Sequence, residues 1–521
     1  MKFNRSSGII LHPTSLPGPY GIGDLGLQAN RWIDFLSKCG CGLWQVLPLG
    51  PTGYGDSPYQ CFSAFAGNPY LISLETLLKE KLLKAEDLAD HPDFPPDRID
   101  YGAIFNWKPV VLNRAYDRFV KLADAALCNE LEKFKAAQAN WLDDFALFMA
   151  LKDAHDGAPW ASWEPALRDR QPQSLSEARQ KYALAIEQQI FRQFIFFRQW
   201  ASVRAYARKQ GLQIIGDIPI FVAHDSSDVW AHPELYYLDA KGQPAVVAGV
   251  PPDYFSRTGQ LWGNPLYRWE LHKASGYSWW LQRLRSVLEL VDIIRLDHFR
   301  GFAGYWEVPG KAKTAEAGRW VPGPGADFLE VVQSSLGDLP IIAEDLGEIT
   351  PDVVALRDQF GLPGMKILQF AFADDAEDAF LPHNYTQNCV VYTGTHDNDT
   401  VRGWYERVEE FEKDLYRRYL ARDGSDVSWD LIRGAWSSVA MFALGPMQDF
   451  MSLDNRARMN YPGNPSGNWT WRMPESALND SLQRRIWETN WLYGRLRPEI
   501  KAELKEQKRK AAAAAAAKTK K

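Results

Sequence analysis

Short apolar runs closed by polar or glycine-rich turns recur along the chain, at 8–11, 43–49, 213–218, 291–296, 339–343, 365–370, 389–393 and 440–444. Runs such as VDIIRL and LPIIAE are nearly continuous in apolar and β-branched residues. A strand has that pattern when helices cover both faces of a parallel sheet. Helical stretches, for example 277–290 and 351–360, separate several of the runs. Strands alternating with helices indicate an α/β protein, and eight such units indicate a (β/α)8 TIM barrel.

The spacing is uneven. The stretch from 49 to 213 is too long for one connection, and its charged, helically periodic segment around 108–156 predicts an inserted, mostly helical subdomain. A second insertion, between 221 and 277, is rich in Pro, Gly and aromatic residues. The segment RMNYPGNPSGNWTWRM at 458–473 is a loop by its Gly, Pro and Asn content. The expectation is one barrel over 1–500, with insertions at about 60–210 (helical) and 222–277 (substrate loops) and no separate C-terminal β-domain. Residues 501–521 are expected to end the last helix and fray into a low-complexity tail, with 511–517 able to extend that helix.

Composition narrows the function. Apolar residues make up 46% and charged residues 24% of 521, as in an ordinary soluble protein with a large core. The net charge of −6 lacks the positive field of a phosphate-backbone binder, so no nucleic-acid partner is expected. The 21 Trp, 21 Tyr and 26 Phe are numerous. Trp and Tyr combine a flat apolar face with a polar tip, which suits a sugar ring, although a large aromatic core would use them equally. Cys39, Cys41, Cys61, Cys128 and Cys389 fit no zinc spacing and read as reduced thiols in a cytoplasmic protein. The apolar run near the start is too short for a signal core, and no run approaches the ~18 apolar residues of a membrane span.

Barrel enzymes place their chemistry at the C-terminal ends of the strands, and carboxylates fall there repeatedly. One run ends at Asp297 in IIRLDHFRG, one at Glu344 in IIAEDLGE, and one at Thr395, His396 and Asp397 in YTGTHDND. One such acid is commonly a helix N-cap; three from different strands point to a site. Arg295 and Asp297 are two apart and share a strand face, where a guanidinium favours the ionised acid suited to a nucleophile. Glu344 and Asp345 are adjacent and cannot both point inward, and which of Asp397 and Asp399 serves the site is left open in the same way. Two carboxyls about 5–5.5 Å apart carry retaining glycoside chemistry, although three acids could also hold a divalent metal. No HExxH, EF-hand, phosphate-loop or nucleophile-elbow motif is present.

These motifs identify a resemblance to the 4-α-glucanotransferases of glycoside hydrolase family 77, the amylomaltases or disproportionating enzymes. It is carried by SSGIILHPTSLPGPYGIGDLG, WQVLPLGPTGYGDSPYQCFSAFAGNPYLI, IIGDIPIFVAHDSSDVW, GVPPDYFSRTGQLWGNPLY, DIIRLDHFRGF, IIAEDLGEIT, GMKILQFAF, VYTGTHDNDT and PGNPSGNWTWR, spread over residues 6–472. It implies a nucleophile at Asp297 beside Arg295, an acid/base at Glu344, and a transition-state stabiliser at Asp397 with His396 on the same sugar. It further implies substrate contacts from Asp56, Ser57, Tyr59, Asp253, Trp262 and Asn464, and glucan binding away from the cleavage point by Tyr54 and Tyr101. Taken alone, Trp262 would be a core residue, whereas its Gly- and Asn-rich loop predicts exposure; Asp217 is expected to be a structural partner at a strand end rather than a contact to sugar.

The resemblance implies transfer of an α-1,4-glucan segment to the 4-hydroxyl of another glucan or of glucose, with no cofactor, metal, membrane or obligate protein partner. The same carboxylates would serve an α-amylase-like hydrolase. A non-catalytic glucan-binding protein would be expected to lack one of the three.

Overall fold

A computed structural model describes residues 3–252, 256–464 and 466–519, without the side chains of 54 and 514–519. Eight parallel strands form its centre: β1 (Ser6–Ile10), β2 (Leu43–Gln45), β3 (Gln213–Pro219), β4 (Ile293–Asp297), β5 (Ile341–Ala343), β6 (Gly364–Ile367), β7 (Cys389–Tyr392) and β8 (Phe442–Pro446). Their order is β6-β7-β8-β1-β2-β3-β4-β5, the sequential order of a (β/α)8 barrel. The seam between β5 and β6 has no full ladder. Ala343 N–H donates to Pro363 O at 2.9 Å, and Met365 N–H donates to the Asp345 carboxylate at 2.7 Å. Gly364 permits that closure, because a Cβ there would meet Asp345 Oδ2 at 2.5 Å.

Residue parity sorts the barrel into two apolar groups. Leu43, Ile215, Ile293, Ile342, Val390 and Leu444 fill the interior. Their strand neighbours Trp44, Ile214, Ile294, Ile341, Val391 and Ala443 face outward into the larger cluster shared with the helices. Side chains alternate across a strand, so the inward column of β2 continues to Gln45, that of β3 to Asp217, that of β4 to Arg295 and Asp297, and that of β5 to Glu344. The interior therefore changes from aliphatic to polar toward the C-terminal ends of the strands.

Between β2 and β3 lie the helices Tyr101–Leu122, Ala125–Ala137, Leu142–Ala154, Pro172–Lys181 and Ala183–Lys209. Their buried Phe145, Phe194 and Trp200 belong to the same cluster as the outward strand residues, so this region packs on the barrel. The 222–277 stretch is not all loop. Val246–Val250 and Gln260–Pro265 are strands, joined antiparallel with Gly304–Pro309 and Arg319–Pro322 in a second, four-stranded sheet. The last helix runs Pro498–Thr519 and takes in the alanine run.

Candidate active site

The inward columns of β3, β4 and β5 place their polar ends side by side. Asp217 pairs with Arg295 in the parallel register of β3 and β4, and the Arg295 guanidinium is ion-paired to it. Asp217 also accepts from Tyr59 Oη at 2.8 Å and from Gln45 Nε2 at 3.1 Å. It is thus a buried partner that fixes Arg295. The other reach of the same Nη1 is to Asp297 Oδ1 at 2.8 Å. Arg295 is therefore shared, which changes the expected electrostatics. Burial is the largest influence on Asp297 and raises its carboxyl; Arg295 lowers it, Asp217 and Asp397 raise it again, and the net direction is upward. Arg295 acts on Asp297 in the expected direction, favouring the ionised form, but burial and the two neighbouring acids outweigh it.

Glu344 lies next to Asp297. Leu296 pairs with Ala343, and Glu344 N–H donates to Leu296 O at 2.9 Å, so the two acids stand one strand spacing apart, ~4.8 Å between backbones. Strand ends at that spacing set two carboxyls side by side, the kind of arrangement a retaining pair requires. Burial and the neighbouring Asp297 push Glu344 up to about 7, against Arg295 and two backbone N–H groups. Those donors are His298 N–H at 2.6 Å and Leu346 N–H at 2.9 Å. Asp345, on the opposite parity, points outward to Arg357 Nη1 at 2.5 Å.

The third acid is on the loop after β7. Asp397 Oδ1 accepts from the Asn460 amide at 2.6 Å, and Oδ2 lies 3.3 Å from His396 Nε2. Burial raises the Asp397 carboxyl, but His396, Asn460 and Arg295 outweigh it, and the group sits well below the usual carboxylate range. Asp399 is occupied elsewhere, paired to Arg407 and accepting from Asn455 Nδ2 at 2.8 Å. His396 stacks on Tyr59, with ring centroids 4.9 Å apart and planes 14° apart, and packs against Trp469 at 5.4 Å.

Asp297, Glu344, Asp397, Arg295, His396 and Tyr59 thus form one connected cluster. Trp262 joins it edge-on to His298, with centroids 4.7 Å apart, but from the strand Gln260–Pro265 rather than from a loop. Asp56 is half-buried in the turn Tyr54–Asp56, and Ser57 Oγ accepts from Tyr59 N–H at 3.2 Å. Tyr101 is not an open sugar platform: it is 7% exposed, and its hydroxyl donates to Trp469 O at 2.9 Å. Asn464 is exposed, its carbonyl accepting from Asn468 Nδ2 at 2.9 Å within its own loop. Asp253 and the side chain of Tyr54 lie outside the described residues.

Residue types at strand ends did not mark Asn460, Arg458, Gln45 or Trp469. Arg458 Nη2 donates to Asp397 O at 2.6 Å. Trp469, buried with φ 61°, sits against Tyr59 and His396. The segment PGNPSGNWTWR was a signal for that loop but not for these contacts.

Glu344 and Asp397 accept from protein donors, and Asp297 is ion-paired to Arg295. Among the described residues, no group of three or more His, Cys, Asp and Glu side chains is arranged to hold a metal ion. Initial rates are expected to be unchanged by EDTA; a loss restored by added calcium or magnesium would contradict this.

Comparison with known proteins places the site in a family. Residues 11–478 match the glycoside hydrolase 77 family, described as 4-alpha-glucanotransferase. The chain is 53% identical over 494 residues to the 4-alpha-glucanotransferase of Thermus thermophilus, covering 93% of this chain and 98% of that protein. It is 46% identical over 502 residues to the chloroplastic/amyloplastic 4-alpha-glucanotransferase of Solanum tuberosum, covering 94% and 87%. The solved amylomaltase from Streptococcus agalactiae in complex with acarbose superposes with a TM-score of 0.92 at 39% identity, covering 95% of this chain and all of that one.

Proposed function

The chain belongs to glycoside hydrolase family 77, the 4-alpha-glucanotransferases, and from that membership we propose how its residues divide the chemistry. The enzyme transfers a segment of an α-1,4-glucan to the 4-hydroxyl of another glucan or of glucose. The observation that carries the assignment is the placement of Asp297 and Glu344 directly after the paired Leu296 and Ala343 of adjacent strands, with Glu344 raised to about 7 and Asp397 held low.

Glu344, protonated, donates to the glycosidic oxygen while Asp297 attacks the anomeric carbon. The C–O bond to the leaving chain breaks and a β-glucosyl ester forms on Asp297. A second glucan then gives the proton of its 4-hydroxyl to Glu344, its oxygen attacks the anomeric carbon, and the ester bond breaks. Two inversions leave the α link retained. Asp397, ionised throughout, stabilises the positive charge that develops on the sugar ring, and Arg295 holds Asp297 in line. Trp262 and the 458–473 loop limit the access of water to the ester. We place the enzyme in the cytoplasm; among the described residues no helix is long and apolar enough to cross a membrane.

Chain-end analysis with maltotriose tests this reading. Glucose and a ladder of longer maltodextrins at constant reducing ends are expected. Short products with a matching rise in reducing ends would indicate hydrolysis.

The pH dependence follows from Glu344. Its carboxyl is protonated below about 7, so kcat/KM is expected to fall as pH rises through that value. A donor needing no proton, such as α-glucosyl fluoride, is expected to lose this alkaline limb in its first step. An alkaline limb of the same position with both donors would assign it to another group.

A further inference from the structure

The catalytic loop after β7 is tied down by an acid that the chemistry does not use. Asp449 lies just beyond β8, in the helical turn Met447–Phe450, with no exposed surface. Its Oδ2 accepts from the Thr393 hydroxyl at 2.6 Å, and its Oδ1 accepts from Val401 N–H at 2.8 Å. Thr393 follows β7, and Val401 opens the helix Val401–Arg407. Between them runs GTHDNDT, the segment carrying His396 and Asp397. A single carboxyl therefore holds both ends of that segment.

Burying a carboxyl is costly, and here burial pushes it up to about 7. An apolar side chain would fill the same place without that cost, but it could not accept from both ends of the loop. The other supports of the segment come from nearby. Gln369 Nε2 donates to Asp399 O at 2.9 Å, Asn455 Nδ2 to Asp399 Oδ1 at 2.8 Å, and Asn460 Nδ2 to Asp397 Oδ1 at 2.6 Å. With Arg458 Nη2 donating to Asp397 O, these hold the middle of the loop from the 455–460 segment and from the turn Leu368–Phe370. Asp449 fixes its two roots, which set how far Asp397 reaches into the barrel mouth.

We propose that Asp449 is a positioning residue for the reaction: by bonding Thr393 and Val401 together it sets the placement of Asp397 and His396 against the sugar. The inference rests on the reading of Asp397 as the transition-state stabiliser. A misplacement of order 1 Å at a reacting group costs roughly 10²-fold. Asp449→Ala is thus expected to lower kcat about 10–100-fold with KM nearly unchanged, because alignment in the transition state is lost rather than ground-state binding. Asp449→Asn keeps both ties, its carbonyl accepting from Val401 N–H and its amide donating to Thr393 Oγ1, and is expected to restore most of the rate. Thr393→Val cuts one tie and is expected to fall between them.

The test is a double-mutant cycle read at 25 °C on folded protein. If Asp449 acts through Asp397, Asp397→Asn/Asp449→Ala is no slower than Asp397→Asn alone. A purely structural role would lower the melting temperature and leave kcat of the folded enzyme unchanged. Wild-type kcat in folded Asp449→Ala, or losses that multiply in the double variant, would overturn the inference while leaving the role of Asp397 intact. Full activity in Asp397→Asn would overturn that role, and this inference with it. Should Asp449→Ala fail to fold, Thr393→Val in the same cycle decides, and a wild-type kcat there overturns the proposal.

Discussion

Asp297→Asn is expected to fold as the wild type does and to lose turnover by at least about 10³-fold, roughly 4 kcal/mol or more of barrier. The amide keeps the shape of the carboxyl but has no charge to attack the anomeric carbon, so no ester forms. Folding is expected to survive because the Arg295 charge keeps its pair with the fully buried Asp217 side chain, while the Asp297 side chain is 27% exposed. Breaking a buried pair would cost about 3–5 kcal/mol, and this substitution leaves that pair in place. Steady-state transfer from maltotriose and a melting curve check both halves. Activity above a tenth of wild type in a well-folded variant would assign the nucleophile elsewhere.

Glu344→Gln is expected to separate the two half-reactions. The amide cannot protonate a sugar leaving group, so transfer from maltotriose should fall by about 10²–10⁴-fold, the contribution of general acid–base catalysis. Fluoride leaves as a stable anion without that proton, so a first step from α-glucosyl fluoride should survive in part. The second step then lacks its base and becomes limiting. A burst of fluoride release followed by slow turnover is the expected trace. Equal loss with both donors would contradict the assignment of Glu344 to proton transfer.

The barrel was legible because a parallel strand covered on both faces is apolar almost throughout, and the eight runs sit on eight barrel strands. Their ends shifted by a few residues where the backbone decides. The 43–49 run stops pairing as a strand at Gln45, since Leu47 has φ 61° and Pro48 has no N–H. The second sheet was not legible. Arg319–Pro322 and Gly304–Pro309 are short, half-exposed and bounded by Pro or Gly, which reads as loop. Strand-end position singled out the acids, and alternation could place Arg295 with Asp297. Local pattern could not choose between Glu344 and Asp345; the family resemblance pointed to Glu344, and the fold gives the reason, the parity of Ile342 inside the barrel. Partners far apart in the chain had no local signal. Arg295 meets Asp217 across 78 residues, Asn460 meets Asp397 across 63, and Tyr392 meets Gln45 across 347. Burial and such long-range partners together set the charge of the acids, so the sequence located the carboxylates but not their electrostatics.

Mass spectrometry of Glu344→Gln quenched during turnover of α-glucosyl fluoride is the most direct measurement of the central claim. The peptide containing Asp297 is expected to carry one added glucosyl residue, with the ester on Asp297 itself, and Glu344→Gln/Asp297→Asn is expected to carry none. A glucosyl group on any other residue, or fluoride released with no covalent sugar at any time, would contradict the double displacement through Asp297 and Glu344.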